Sequence, residues 1–211
     1  MSNGTTLIYH ITHKDNLEGI IERGVLVAQS VIAKDQISYC NIAHSTIQDR
    51  RAQTPVPCGP RGYLHDYVPF YFAPRSPMLY AIHRGNVEGC TAGQSDIVYL
   101  VSSIEGVAAA EIEFVFTDGH GIMKLSDFYG DLANLDAIDW EVMKATYWSD
   151  TDDDPDRKRR RQAEFLVYKE FPWDRIEMIA VMNNQIKIQV EGIISNATQR
   201  HPIKVKPNWY Y

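Results

Sequence analysis

Arg157, Lys158, Arg159, Arg160 and Arg161 run directly into Gln162-Ala163-Glu164-Phe165-Leu166-Val167, where a polar loop gives way to an apolar strand. A carboxylate at the mouth of a strand can hold a sugar hydroxyl or accept a proton, while a mobile cationic loop before it gathers a polyanion. The competing reading is a solvated charge run followed by an ordinary edge strand. Two further segments carry complementary chemistry. Tyr9-His10-Ile11-Thr12-His13 places an aromatic ring, two imidazoles and a hydroxyl at the end of a first strand, where they can bind a ribose and offer backbone groups to an amide. Ile42 to Arg51 reads as a helix with a polar face that ends in two arginines. A guanidinium offers fixed bidentate donors for a diphosphate or for reactants that must be held in line. Arg51 is the first choice and Arg50 the alternative, since adjacent helical residues point about 100° apart and only one can face inward.

Several elements must position these groups. Leu7 to Ile11 reads as the first strand, and Asp15 as the cap of a helix carrying Leu17, Ile20 and Ile21 on one face and stopping at Gly24. After the helix ending at Arg51 comes the turn-rich Thr54 to Pro60, then an extended Tyr67 to Phe72 with Val68, Phe70 and Phe72 on one side. Ser76-Pro77 is a helix start and Gly85 its stop. Asp96 to Val101 and Glu113 to Phe116 read as strands, the latter closed by an Asp118-Gly119 turn, and Ser126 to Met143 reads as largely helical. Beyond the basic run, Glu164 to Tyr168 and Ile176 to Met182 are strand-forming. Gln185 to Ala197 has helical spacing, and Ile203 to Lys206 supplies a last strand. Strands and helices without a regular βαβ rhythm indicate α+β rather than a doubly wound sheet, in a single domain spanning residues 1–211.

Composition excludes several classes. A net charge of −6 over 211 residues argues against coating nucleic acid nonspecifically. The charge is uneven, however, with Asp152, Asp153, Asp154 and Asp156 immediately before the basic run, so a local anion site remains open. The amino terminus carries no basic region followed by an apolar stretch, and no segment offers the roughly 20 apolar residues of a membrane span. A cytoplasmic, soluble protein with no membrane partner is expected. Cys40, Cys58 and Cys90 form no C-x-x-C pair, and none of the seven histidines belongs to H-E-x-x-H, so neither a disulfide framework nor a metal site is expected. Neither G-x-G-x-x-G nor G-x-x-x-x-G-K-[ST] occurs, which removes Rossmann and P-loop chemistry.

The histidine, arginine and glutamate elements together resemble those of NAD-consuming ADP-ribosyltransferases. More specifically, Ile47-Gln48-Asp49-Arg50-Arg51, Leu64-His65-Asp66-Tyr67-Val68-Pro69-Phe70-Tyr71-Phe72 and Arg75-Ser76-Pro77-Met78-Leu79-Tyr80 resemble the DarT family of DNA ADP-ribosyltransferase toxins. The resemblance covers nearly the whole chain and is most specific from Leu64 to Tyr80. It implies an ADP-ribosyltransferase-like mixed β-sheet core with surrounding helices. It also implies a toxin that consumes NAD and attaches ADP-ribose to a base in single-stranded DNA, thymine in the best-known branch. The partner it implies is a macrodomain antitoxin of the DarG type.

On that resemblance Glu164 is the catalytic carboxylate, holding the ribose 2′-hydroxyl and taking the proton of the attacking base nitrogen, and Arg51 is its catalytic and cofactor-binding companion. His10 becomes the ribose-binding histidine, with Thr12 and the Ile11 backbone near the nicotinamide amide. His13 either shares that work or caps the next helix. Tyr71 and Met78 line the nicotinamide pocket, and His120, after its Asp-Gly turn, reaches the site. Arg157, Lys158, Arg159 and Arg161 would contact phosphates, with Tyr147 and Trp148 as stacking platforms for a base. The rival readings are an RNA 2′-phosphotransferase-like or protein-directed transferase of the same fold, and a noncatalytic nucleotide- or nucleic-acid-binding module.

Overall fold

The computed structural model describes residues 5–88 and 93–211, so Cys90 and Met1 to Gly4 lie outside the described residues. Its centre is β4 (Ile97–Ser103), seven residues rich in Val, Ile and Leu and all buried, the pattern of a strand covered on both faces. β1 (Leu7–His13) pairs with it in antiparallel register along its whole length. Outward from β1 lie β3 (Tyr67–Tyr71), β7 (Glu164–Tyr168), β5 (Phe114–Thr117) and β6 (Phe128–Tyr129). On the other side of β4 lie β9 (Met178–Val181) and β10 (Ile203–Val205), which pair in parallel, while every other neighbour is antiparallel. The result is an eight-stranded mixed sheet, with β2 (Val25–Val27) and β8 (Glu170–Pro172) forming a separate antiparallel pair. The class is α+β, as the sequence indicates.

Helices α1 (Leu17–Arg23), α2 (Gln29–Lys34), α3 (Ser45–Gln53), α4 (Pro77–His83), α5 (Ile104–Ala109), α6 (Trp140–Lys144), α7 (Arg157–Arg160) and α8 (Asn184–Ile193) surround the sheet. Alternation along β4 sends Val98 and Leu100 into a cluster with Phe70 and Phe165, and Ile97, Tyr99 and Val101 into another with Tyr9 and Tyr210. Both faces are therefore apolar, and burial of side chains this size stabilises the fold by about 1.5–3 kcal/mol each. One register line matters for chemistry. Tyr9 lies opposite both Val101 and Tyr71, and Tyr71 lies opposite Glu164. Glu164 is thus fixed at the start of an interior strand between β3 and β5, not on a sheet edge.

Start and stop chemistry sets several boundaries. Ser76 accepts a hydrogen bond from Leu79 N at 3.2 Å with Pro77 in the first turn, and α4 is followed by Gly85 at φ 66°. Three expectations fail. Asp15 does not cap α1; its N–H donates to the His13 imidazole at 3.2 Å, and a short 3₁₀ turn precedes the helix. Ser126 to Met143 is not largely helical, because Phe128 and Tyr129 pair with Thr117 and Phe116. A 3₁₀ segment follows, and Asp139 starts α6 afresh by accepting from Val142 N at 3.0 Å. The basic run is not a mobile loop but α7, whose arginines are neutralised by the aspartates before it.

Candidate active site

Glu164 is only 2% exposed although it is a carboxylate. Its backbone N–H donates to Thr117 Oγ1 at 3.1 Å, which locks the strand end. Arg51 Nη1 donates to Oε2 at 2.6 Å, the Gly121 N–H donates to Oε1 at 3.0 Å, and His120 Nδ1 lies 3.3 Å from Oε1. Burial alone would raise this carboxyl, but the Arg51 charge and the His120 contact outweigh it and hold the pKa at about 2. Glu164 is therefore an anion at neutral pH.

Arg51 is buried at the end of α3, and its Nη2 has no hydrogen-bond partner among the described residues. A buried guanidinium nitrogen without an acceptor is costly unless a ligand supplies one. Arg50 resolves the choice between the neighbours: its Nη2 donates to the Ile122 carbonyl at 3.1 Å and so holds the loop that carries Gly121. That loop needs its glycine. A Cβ at Gly121 would lie 3.3 Å from Glu164 Oε1 and 3.2 Å from Leu64 Cδ1, tighter than ordinary packing.

The pair opens into a cleft of about 430 Å³ lined by β1, α2, α3 and the intervening 37–44 segment, a volume within the range of cofactor sites. His10, Ile11, Thr12, Tyr71, Met78 and Lys158 all line it, as do Arg51, His120 and Glu164. His10 Nδ1 donates to the Pro69 carbonyl at 2.8 Å, so Nε2 is left as an acceptor. Burial lowers the pKa of His10 and keeps it neutral. Tyr71 Oη donates to Met78 Sδ at 3.6 Å, and burial together with the nearby Glu164 charge raises its phenol, so it too stays neutral.

Other expected residues lie elsewhere. His13 does not line the cleft; it is buried and caps the 3₁₀ turn, the second of the two roles the sequence allowed. Trp148 is 8% exposed, with Nε1 donating to Tyr211 Oη at 2.8 Å, so its ring is core rather than a stacking platform. Tyr147 beside it is 85% exposed. Arg159 is tied to Asp156, Asp118 and Ser126, Arg157 pairs with Asp154 at 3.6 Å, and Arg161 donates to the carbonyls of Val142, Met143 and Pro74. Lys158 is the member of the run that reaches the cleft.

The sequence reading missed Asn16, whose Nδ2 donates to Thr12 Oγ1 and to the Cys40 carbonyl, both at 3.0 Å, while Oδ1 accepts from Cys40 N at 2.7 Å. One amide thus ties the end of β1 to the 37–44 wall. It also missed the His65–Gln48 pair at 2.8 Å on the cleft lining. Nothing in the spacing marks the Asn16–Cys40 and Gln48–His65 contacts, which join residues 24 and 17 positions apart. Among the described residues no group of three or more His, Cys, Asp or Glu could hold a metal ion, and no helix is long and apolar enough to cross a membrane.

An ionised carboxylate beside an arginine with a spare donor, at the floor of a cleft with a neutral imidazole acceptor, suits cleavage of a glycosidic bond and transfer of the sugar. A family model described as ssDNA thymidine ADP-ribosyltransferase, DarT, matches residues 9–211. A DNA ADP-ribosyl transferase of Thermus aquaticus is 47% identical over 208 residues, spanning 98% of this chain and 89% of that protein. The solved structure of Thermus sp. 2.9 DarT in complex with ADP-ribosylated ssDNA matches with a TM-score of 0.92 at 44% identity, covering 98% of this chain and 97% of that one. The same protein in complex with NAD+ matches with a TM-score of 0.87 at 42% identity over the full length of both chains. A DNA ADP-ribosyl transferase-DNA ADP-ribosyl glycohydrolase fusion protein of Thermosipho africanus is 25% identical, covering 97% of this chain and 49% of its own length.

Proposed function

The chain belongs to the DarT family of single-stranded DNA thymidine ADP-ribosyltransferases, and we propose that it cleaves NAD and transfers ADP-ribose to thymine in single-stranded DNA as one transferase domain. The observation that carries this reading is the buried Arg51–Glu164 pair at the floor of the cleft. The bond between nicotinamide and ribose C1′ breaks, and its electron pair leaves on nicotinamide. Positive charge then develops on the sugar, next to a carboxylate that burial and Arg51 keep ionised. The thymine imide nitrogen forms the new bond to C1′ and releases its proton, which Glu164 accepts.

A carboxylate held at about 2 is a weak base. Arg51, however, has an unsatisfied nitrogen that a ligand oxygen can engage. Once Arg51 is drawn toward the ligand, burial dominates and Glu164 gains affinity for the proton. His10 Nε2, left as an acceptor, takes a hydrogen bond from a ribose hydroxyl, and Thr12 with the Ile11 backbone serves the nicotinamide amide. Tyr71 and Met78 supply an apolar wall. Lys158 and the exposed Tyr147 remain as contacts for the DNA strand.

The fused glycohydrolase of the Thermosipho africanus relative supports pairing with an enzyme that removes the mark, a macrodomain antitoxin of the DarG type. Action in the cytoplasm follows from the substrates, since NAD and transiently single-stranded DNA meet there. The test is incubation with NAD and oligonucleotides differing only in replacement of thymine, read by mass spectrometry. An ADP-ribose adduct confined to thymine-containing single strands is the expected result. Equal labelling of thymine-free strands would overturn the acceptor.

A further inference from the structure

Between the buried Ile122 and the buried Ser126, the residues Met123, Lys124 and Leu125 all face solvent, Leu125 at 74% and Met123 at 40% exposure. A single exposed leucine needs no explanation. Here the exposure is built into a tied-down turn. Met123 N donates to the His120 carbonyl at 2.9 Å, Ser126 N to the Met123 carbonyl at 3.0 Å, and Ser126 Oγ to the His120 carbonyl at 2.8 Å. Arg50 grips the Ile122 carbonyl and Arg159 donates to Ser126 Oγ at 3.2 Å. The turn is also continuous with the site, because Gly121 donates to Glu164 and Met123 follows only two residues later, about 7 Å of extended chain at most. Two large apolar side chains and a cation are therefore carried on a hydrogen-bonded turn that begins two residues after the glycine bonded to Glu164.

We propose that Met123 and Leu125 form an apolar wedge for single-stranded DNA, against which a base flanking the acceptor thymine stacks, with Lys124 facing a phosphate. This rests on the reading that the acceptor strand is single-stranded DNA. A base delivered into a cleft must leave its stack, which uncovers the face of its neighbour. Apolar side chains cover such faces and wedge between base steps, and they do so without reading the sequence strongly. The basic run cannot carry the affinity by charge, because Arg157, Arg159 and Arg160 are already paired with aspartates. Contact with base faces beside the cleft supplies what the paired arginines do not.

The experiment uses the whole chain carrying both Met123→Ser and Leu125→Ser, together with Leu125→Phe and Lys124→Gln as separate variants. DNA affinity is measured by anisotropy on a thymine-containing single strand across salt concentrations, and NAD affinity by calorimetry. The double variant should bind DNA about tenfold more weakly, with an unchanged salt slope, unchanged NAD affinity and an unchanged melting temperature. Leu125→Phe should bind at least as tightly as the parent. Lys124→Gln should instead flatten the salt slope by about one phosphate. DNA affinity equal to the parent in the double variant would overturn the wedge. So would an equal fall in NAD affinity, which would mean that the turn acts only by positioning Glu164. If the unmodified chain labels no DNA at all, the underlying reading fails instead.

Discussion

Glu164 accepts hydrogen bonds from Arg51 and from the Gly121 backbone, 113 and 43 residues away in the chain. Glu164→Gln keeps the shape while removing the negative charge, and transfer to DNA should fall by roughly 10²- to 10⁴-fold. NAD affinity should change little if the carboxylate acts mainly on the transition state, as proposed; adduct formation and calorimetry check the two halves separately. Glu164→Ala is a poorer test, since it leaves Arg51 buried without its acceptor, at a cost of about 3 kcal/mol. Arg51→Lys keeps the charge but loses the planar fork, and activity should drop by about 100-fold. Arg51→Gln should raise the Glu164 pKa from about 2. A carboxyl whose folded pKa is depressed contributes stability above its unfolded value of about 4.3, and loses it as pH falls through the folded value. The stability advantage of the parent over Arg51→Gln should therefore shrink between about pH 4.3 and 2 in acid-unfolding curves. In the sequence, the junction before Phe165 showed where a carboxylate meets a strand. It could not show burial, nor that Arg50 serves the loop while Arg51 faces inward, because both depend on contacts between distant segments.

Two walls of the cleft are joined by one side chain. Asn16 sits where β1 ends and clamps the Cys40 peptide in both directions while also holding Thr12. Asn16→Asp keeps one acceptor and loses both donors, so the 37–44 wall should loosen, and KM for NAD should rise about tenfold with kcat at saturating NAD within a few-fold of the parent. A fall in kcat with unchanged KM would show instead that Asn16 serves the chemistry through Thr12. The strands were legible because β4 and β7 read as continuous apolar runs and α4 opens with Ser-Pro and is followed by Gly85. The region from Ser126 to Met143 was not, because its apolar spacing fits a helix. Pairing of Phe128 and Tyr129 with β5, and stacking of Tyr129 on Phe116 at 5.2 Å, override that local preference. The acidic residues before α7 were visible as a charge block. That they pair with its arginines emerges only in three dimensions.

At the scale of the whole molecule, a net charge of −6 must be reconciled with a polyanionic substrate. Long-range attraction is weak in such a molecule, which favours a short footprint over an extended basic track. Lys158 lines the cleft, whereas Arg159 is locked between Asp118 and Asp156. Lys158→Gln should therefore flatten the salt dependence of single-strand binding by about one phosphate, a change of about 0.7 in the logarithmic slope. Arg159→Gln should leave that slope alone and lower the melting temperature, since it strips two aspartates of their partner. The choice of base should survive both changes, because phosphate contacts carry little sequence information. Duplex DNA of the same sequence should not react, since the thymine imide nitrogen is occupied by pairing and a cleft of about 430 Å³ admits a base only once it has left the stack. Adduct yield on matched single and double strands measures this directly. Equal yields would mean that the enzyme opens the duplex itself.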